Sequence, residues 1–243
     1  MATTKITSPD LFDLGSLNTA LQLPNGTTAE RPTSPSTGEW RYNTTTNLIE
    51  FWDGGAWRDL QSEDIPPIPS EHFNTVLYDG NGSTNNITGV GFQPDLVWIK
   101  QRDTAVENHN WYDSTRGVRN FIVSNSTAAN VLGSVNRLNA FGADGFTVGS
   151  DNEINDSGSK YVAWCWKANG GTTSSNSEGN VTSTVQANTK GGFSIVKWTG
   201  DANNTTTVGH GLNSAPELII SKNLDTAAAD GWPVFTTSIG NDH

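Results

Sequence analysis

With one cysteine, Cys165, the chain can close no disulfide within itself and build no multi-cysteine metal cluster. Alternation in YVAWCWKA (161–168) places that thiol among packing residues, as a small buried filler and not a nucleophile. Basic residues are scarce as well: 14 Lys plus Arg against 25 Asp plus Glu leave a net charge of −11. Nucleic-acid binding needs a basic footprint to displace counterions from phosphates, so nucleic acid is excluded as a partner. The acidic surface serves solubility. No apolar run approaches the roughly 20 residues of a membrane-spanning helix, and no early segment resembles a signal peptide. The expectation is a soluble protein made in a cytoplasm, without membrane insertion. The N-x-[ST] triplets at Asn25 and Asn125 then reflect composition, not glycosylation.

Catalytic signatures are missing too. His72, His109, His210 and His243 lie far apart, with no metal-ligand spacing. There is no G-x-S-x-G, no H-E-x-x-H and no Gly-rich phosphate loop followed by Lys. No cofactor is expected. A glycosidase needs two facing carboxylates. Asp151, Glu153 and Asp156 in SDNEINDSG (150–158) supply carboxylates, but they crowd one polar loop, where solvated surface is the simpler account. The chain is read as having no enzymatic activity.

What remains is Gly, Asn, Ser and Thr around short β-branched and aromatic runs, with 34% hydrophobic and 16% charged residues. That pattern predicts an all-β chain of short strands joined by turns. Residues 1–25 form an N-terminal attachment arm, helical after Pro9 or extended, whose apolar residues include Phe12, Leu14 and Leu17. It is too small to bury them alone, so docking on another chain is expected. Residues 26–62 read as a small three-stranded meander with strands at 39–43, 48–52 and 56–60 and a tight DGG turn between the last two. Leu48, Glu50 and Trp52 share one face of its middle strand and Ile49 and Phe51 the other. So small a sheet has little core, and Trp40, Tyr42, Trp52 and Trp57 are expected to pack between chains across a trimer axis. Truncating Trp52 is then expected to loosen assembly.

A proline-rich connector (63–72) leads to a first β-sandwich repeat at 73–168, with strands at 74–79, 95–100, 111–113, 120–123, 146–148 and 160–167. A Gly/Ser/Thr-rich linker (169–192) and an incomplete second repeat (193–243) follow. The repeat is legible directly. FNTVLYDGNG from Phe73 matches FSIVKWTGDA from Phe193, and PDLVWIKQRDT from Pro94 matches PELIISKNLDT from Pro216. GVGF and GHGL precede the second match, and HNW ending at Trp111 aligns with DGW ending at Trp232. A half-domain leaves strand edges and a core open, so the natural chain is expected to continue past residue 243.

The stretch GTTAERPTSPSTGEWRYNTTTNLIEFWDGGAWRDL (26–60) resembles a module common in phage tail-fibre and other virion structural proteins. The likeness is carried by Gly26, Thr27, Thr28, Arg31, Pro32, Gly38, Arg41, Tyr42, Asn43, Thr44, Asn47, Glu50, Trp52, Gly54 and Trp57. Residues 73–168, through GFQPDLVWIKQR, WYDSTRG and YVAWCWKA, resemble a β-sandwich of unassigned function repeated in marine-phage tail proteins. The resemblance implies a virion fibre or other surface appendage, homotrimeric, held to another virion protein by its N-terminal segment and extending towards host-surface receptors. A capsid-bound decoration fibre and a polysaccharide depolymerase tailspike are the alternatives. Host cell-surface polysaccharide is a candidate ligand, and NHNWYDSTRG (108–117) offers Trp111, Tyr112, Asp113 and Arg116 as a carbohydrate site. In the competing reading, Trp111 anchors a loop to the sandwich, since Trp232 recurs at its place. Trp164 and Trp166, on one face with Val162, read as core or as contact between chains.

Overall fold

Alternating side chains set the layers of this all-β chain. The structure, a computed structural model, describes residues 23–60, 67–103, 106–203, 205–226 and 231–238. The attachment arm up to residue 22, with Phe12, Leu14 and Leu17, lies outside the described residues, as does the first part of the connector. Two compact units follow from the fold, Met1–Pro66 and Pro67–His243.

The first unit is a sheet of four strands, β1 (Asn25–Gly26), β2 (Trp40–Asn43), β3 (Leu48–Trp52) and β4 (Trp57–Asp59), paired in that order. The expected meander is β2–β3–β4, all antiparallel; β1, only two residues long, adds a parallel edge that no sequence pattern announces. The Asp53 carboxylate closes the DGG turn by accepting from the Gly55 and Ala56 amides. Asn43 does the same for the preceding turn through the Thr45 amide.

The second unit begins with β5 (Phe73–Asp79), β6 (Asn85–Ile87), β7 (Leu96–Gln101), β8 (Asn110–Asp113), β9 (Asn120–Val123), β10 (Val131–Leu132), β11 (Leu138–Gly142) and β12 (Gly145–Val148). A one-turn helix, α1 (Asn152–Asn155), is capped by the Asp151 carboxylate and precedes β13 (Lys160–Trp166). A six-stranded sheet of order β10-β9-β8-β7-β13-β5 faces a three-stranded sheet of order β11-β12-β6. Between them Val97, Ile99, Tyr112, Phe121, Tyr161, Ala163 and Cys165 from the first meet Ile87, Leu138, Phe146 and Val148 from the second. Cys165 is buried filler, as its alternation predicts, and burial pushes its thiol up to about 12.

In the first copy the G-x-G has a local role. Gly89 and Gly91 both take positive φ, 86° and 87°, and their amides converge on the Asp144 carboxylate at 3.0 and 2.6 Å. Asp144 itself sits in the two-residue turn between β11 and β12, so one carboxylate ties the loop ahead of β7 to the opposite sheet.

The stretch expected as a linker is instead folded. It carries β14 (Ser174–Asn176) and β15 (Ser183–Asn188), which pair with each other, and β15 pairs in turn with β16 (Phe193–Trp198). Ser183, Val185 and Gln186 are buried there. The second repeat then has β17 (Leu218–Ile220) and β18 (Val234–Thr236), an isolated antiparallel pair. Its register corrects the sequence alignment. Leu96 faces Asp113 in the first copy and Leu218 faces Thr236 in the second. The flanking bonds agree, Ser114 N to Asp95 O at 2.9 Å and Thr237 N to Glu217 O at 3.0 Å. Val234, not Trp232, therefore occupies the place of Trp111. Trp232 lies two residues ahead of it and packs on Trp111 itself, with ring centroids 5.2 Å apart.

Candidate functional site

In the first unit the motif residues converge on one buried carboxylate. Alternation sends Arg41, Asn43, Glu50, Trp52 and Trp57 to the same face, and the turn at Thr28–Glu30 folds over it. Glu50 is fully buried. It accepts from Arg31 Nη2 at 2.6 Å and from Asn43 Nδ2 at 3.1 Å, with Arg41 Nε at 3.5 Å. Arg31's hydrogen bond, followed by Asn43 and the two arginine charges, outweighs burial and holds the Glu50 carboxyl below its ordinary value. Asn43 Nδ2 also donates to Thr28 Oγ1, and the Thr27 amide donates to Glu30. These residues bond mainly to one another, although Arg41 Nη1 and Asp59 Oδ1 are buried there without a hydrogen-bond partner.

The other face of the same sheet is apolar. Trp40 is 47% exposed and stacks on Phe51 at 5.4 Å, with Tyr42 and Ile49 beside them half-buried. The expected interface set thus divides. Trp40 and Tyr42 lie on the bare face, while Trp52 and Trp57 pair at 5.8 Å over the Glu50 network. Of these four rings only Trp40 is exposed; Tyr42, Trp52 and Trp57 are half-buried.

The carbohydrate set at 108–117 is not gathered into one open site. Adjacent strand residues point oppositely, so Trp111 lies on the outer face of the six-stranded sheet while Tyr112 is fully buried in the core. Asp113 and Arg116 are ion-paired and little exposed. Arg116 also donates to Asn130 Oδ1 at 2.7 Å and to the Trp111 carbonyl at 3.2 Å, which makes it a clamp on the loop to β10.

Sequence reasoning missed what the outer face builds. Trp164, Trp98 and Trp111, on β13, β7 and β8, stand in a cross-strand row with centroids 5.0 and 4.8 Å apart, and Trp232 of the second repeat caps it. Trp232 Nε1 donates to the Ser126 carbonyl at 2.9 Å, which fixes the cap. A second group, Phe73 and Trp166, ends in Phe193, again from the second repeat. The alternation of 160–166 was the available signal. It places both tryptophans outward, where they receive the second repeat.

His109 belongs to this row. Its Nδ1 accepts from Trp98 Nε1 at 2.9 Å, and burial, helped by the positive charge of Lys100, lowers its pKa from the ordinary 6.5. A histidine depressed in the folded state contributes stability that is complete above its unfolded value. That contribution is lost as pH falls below it and through the folded value. Acidification below 6.5 should therefore change tryptophan fluorescence as the Trp98–His109 bond breaks. His109→Gln should flatten that titration; an unchanged curve would assign it to another group.

A less obvious centre is Asp95, in Pro-Asp-Leu (94–96), which the second copy repeats as Pro-Glu-Leu (216–218). It is fully buried and accepts from the amides of Ala168 (2.7 Å), Gly170 (2.9 Å) and Gly171 (2.7 Å) and from Ser114 Oγ (2.6 Å). Gly171 N also reaches Gln186 Oε1, and Gln186 Nε2 donates to Ser114 and Thr115. The cluster joins the end of β13 to β15.

The carboxylates weighed for glycosidase chemistry are structurally engaged. Arg137 binds Asp151 at 2.9 Å and Glu153 at 2.9 Å and lies 4.2 Å over the Phe121 ring. Asp156 accepts from Ser159 Oγ. Among the described residues no group of three or more His, Cys, Asp or Glu could hold a metal. No helix among them is long and apolar enough to cross a membrane.

No curated protein and no solved structure matches the chain. A family match does exist, and it starts where the second unit starts and spans both repeats. On that match, over residues 68–243, the chain belongs to the family described as a domain of unknown function, DUF7483.

Proposed function

We propose that this is a phage virion structural protein, tail-fibre-like, anchored to the particle by its N-terminal segment and carrying its β repeats outward towards host-surface receptors. The resemblance of residues 26–60 to a virion-protein module motivates the reading. The observation that carries it is the division of that module's two faces: Arg31, Arg41 and Asn43 are engaged by the Glu50 network, while the opposite face carries the exposed Trp40 with half-buried Tyr42, Ile49 and Phe51 beside it. A sheet this small, apolar on the outside, suits burial against sister chains of a homotrimer. Strands, turns and a repeated strand pattern suit an extended appendage.

Two measurements test this. Mass spectrometry of purified particles should find peptides of the chain, and their absence from particles would sink the reading. Light scattering of the expressed chain should give a trimer. Trp40→Ala should weaken it by about 2 kcal/mol, the scale of a buried aromatic anchor, while a chain monomeric with or without that change removes the assembly part of the proposal.

A further inference from the structure

β17 stands where β7 stands in the first copy, with Leu218, Ile219 and Ile220 at the places of Leu96, Val97 and Trp98. Towards β18 the two copies agree in register. Away from it they part. β7 gives its second edge to β13, with Leu96 opposite Trp166 and Trp98 opposite Trp164. β17 lies in a two-stranded sheet, so among the described residues its second edge has no strand partner. The bonds from Ser221 N to Pro233 O and from Thr237 N to Glu217 O commit the odd-numbered residues to β18. The backbone N–H and C=O groups of Leu218 and Ile220 therefore face the open edge. Side chains there are bare as well: Leu218, Ile219 and Ile220 are 58, 45 and 42% exposed, whereas Leu96 and Val97 are 9 and 0%. An apolar edge strand with unpaired backbone is a template for strand addition.

We propose that this edge is a docking site for an extended peptide strand, antiparallel to β17 and carrying the alternation of β13. The first copy specifies the occupant. In β13 the small and aromatic residues Tyr161, Ala163 and Cys165 turn to the core, and the backbone of the even-numbered residues pairs with β7, as Arg102 N to Lys160 O at 2.7 Å shows. A strand of that pattern at β17 covers Ile219 as Cys165 covers Val97, and satisfies the backbone of Leu218 and Ile220. This surface binds peptide main chain. Its specificity comes from alternate side chains, independently of what the whole chain does on a particle.

The probe is a labelled synthetic peptide of residues 159–167 with Cys165→Ala, titrated by fluorescence anisotropy into the full chain. Saturable binding is expected. N-methylation of the peptide at the Trp164 position, whose amide faces the docking edge, should weaken it at least about tenfold, while N-methylation at the Ala163 position should cost less than about twofold. Ile220→Pro should weaken binding similarly, because that proline removes an amide from the open edge and none from the ladder to β18. The methylated peptides keep the test decisive should Ile220→Pro misfold. No binding, or binding indifferent to which amide is methylated, overturns the proposal. So does self-association of the chain that Ile220→Pro abolishes and the peptide does not compete, which would give the edge to a second copy.

Discussion

Glu50→Ala should unfold the N-terminal sheet at ambient temperature while the unit from Pro67 onward stays folded. The fully buried carboxylate is the hub for Arg31, Arg41 and Asn43. Arg31, 29% exposed, can turn to water when its partner is lost, but Arg41, with a side chain 6% exposed, cannot. Breaking a buried ion pair from one side costs about 3–5 kcal/mol, because a charge is left uncompensated. A sheet of four short strands has no more than that to lose. Trp40, Trp52 and Trp57 report on it: their indole N–H signals should collapse in a proton–nitrogen spectrum, while those of Trp98, Trp111, Trp164 and Trp232 persist. Glu50→Gln, which keeps the hydrogen-bond acceptor, should fall between. The same network implies acid sensitivity. Glu50 is depressed in the folded state, so its contribution is present above its ordinary 4.5 and lost as pH falls through the lower folded value. Retained dispersion in the indole signals of Trp40, Trp52 and Trp57 in the alanine variant would remove Glu50 from this role.

The strands that bury apolar alternates were legible. KYVAWCW announces β13 because Tyr, Ala and Cys fall on one side and Val, Trp and Trp on the other. β14 and β15 were not, since Ser, Thr and Asn read as linker. They are held by polar pairing across the fold: Gln186 is buried through Gly171, Ser114 and Thr115, and Ser183 through the Gly209 carbonyl. Composition carries no trace of partners about 70 positions away. Period-two geometry did contain the answer for the carbohydrate set, because consecutive strand residues such as Trp111 and Tyr112 cannot share a face. The alignment of Trp111 with Trp232 failed for a different reason. A rare residue was matched by identity, whereas strand register equates Trp111 with Val234 and leaves Trp232 free to bind the first copy. The module's motif was fully legible as a pattern, but the burial of its polar half and the exposure of its apolar half required the fold.

Asp95→Ala should destabilise the second unit by about 3 kcal/mol, because three backbone amides and one hydroxyl lose their acceptor together inside the protein. Asp95→Asn should recover little: one of its two oxygens becomes an N–H donor facing other donors. Damage should spread to β14 and β15, since Gly171 N and Ser114 Oγ are shared with Gln186. Hydrogen exchange at Ala168, Gly170 and Gly171 should accelerate before global unfolding does. The second copy supplies the internal control. Glu217 occupies the same place in Pro-Glu-Leu but is exposed, so Glu217→Ala should change stability by no more than about 0.5 kcal/mol. The pair separates two causes of the repeated acidic position. If the carboxylate matters through its buried amides, denaturation will distinguish the two variants sharply. If both cost the same, the acidic residue serves the turn before the strand in either copy, and Asp95 is not the junction between the first sandwich and the strands that follow it.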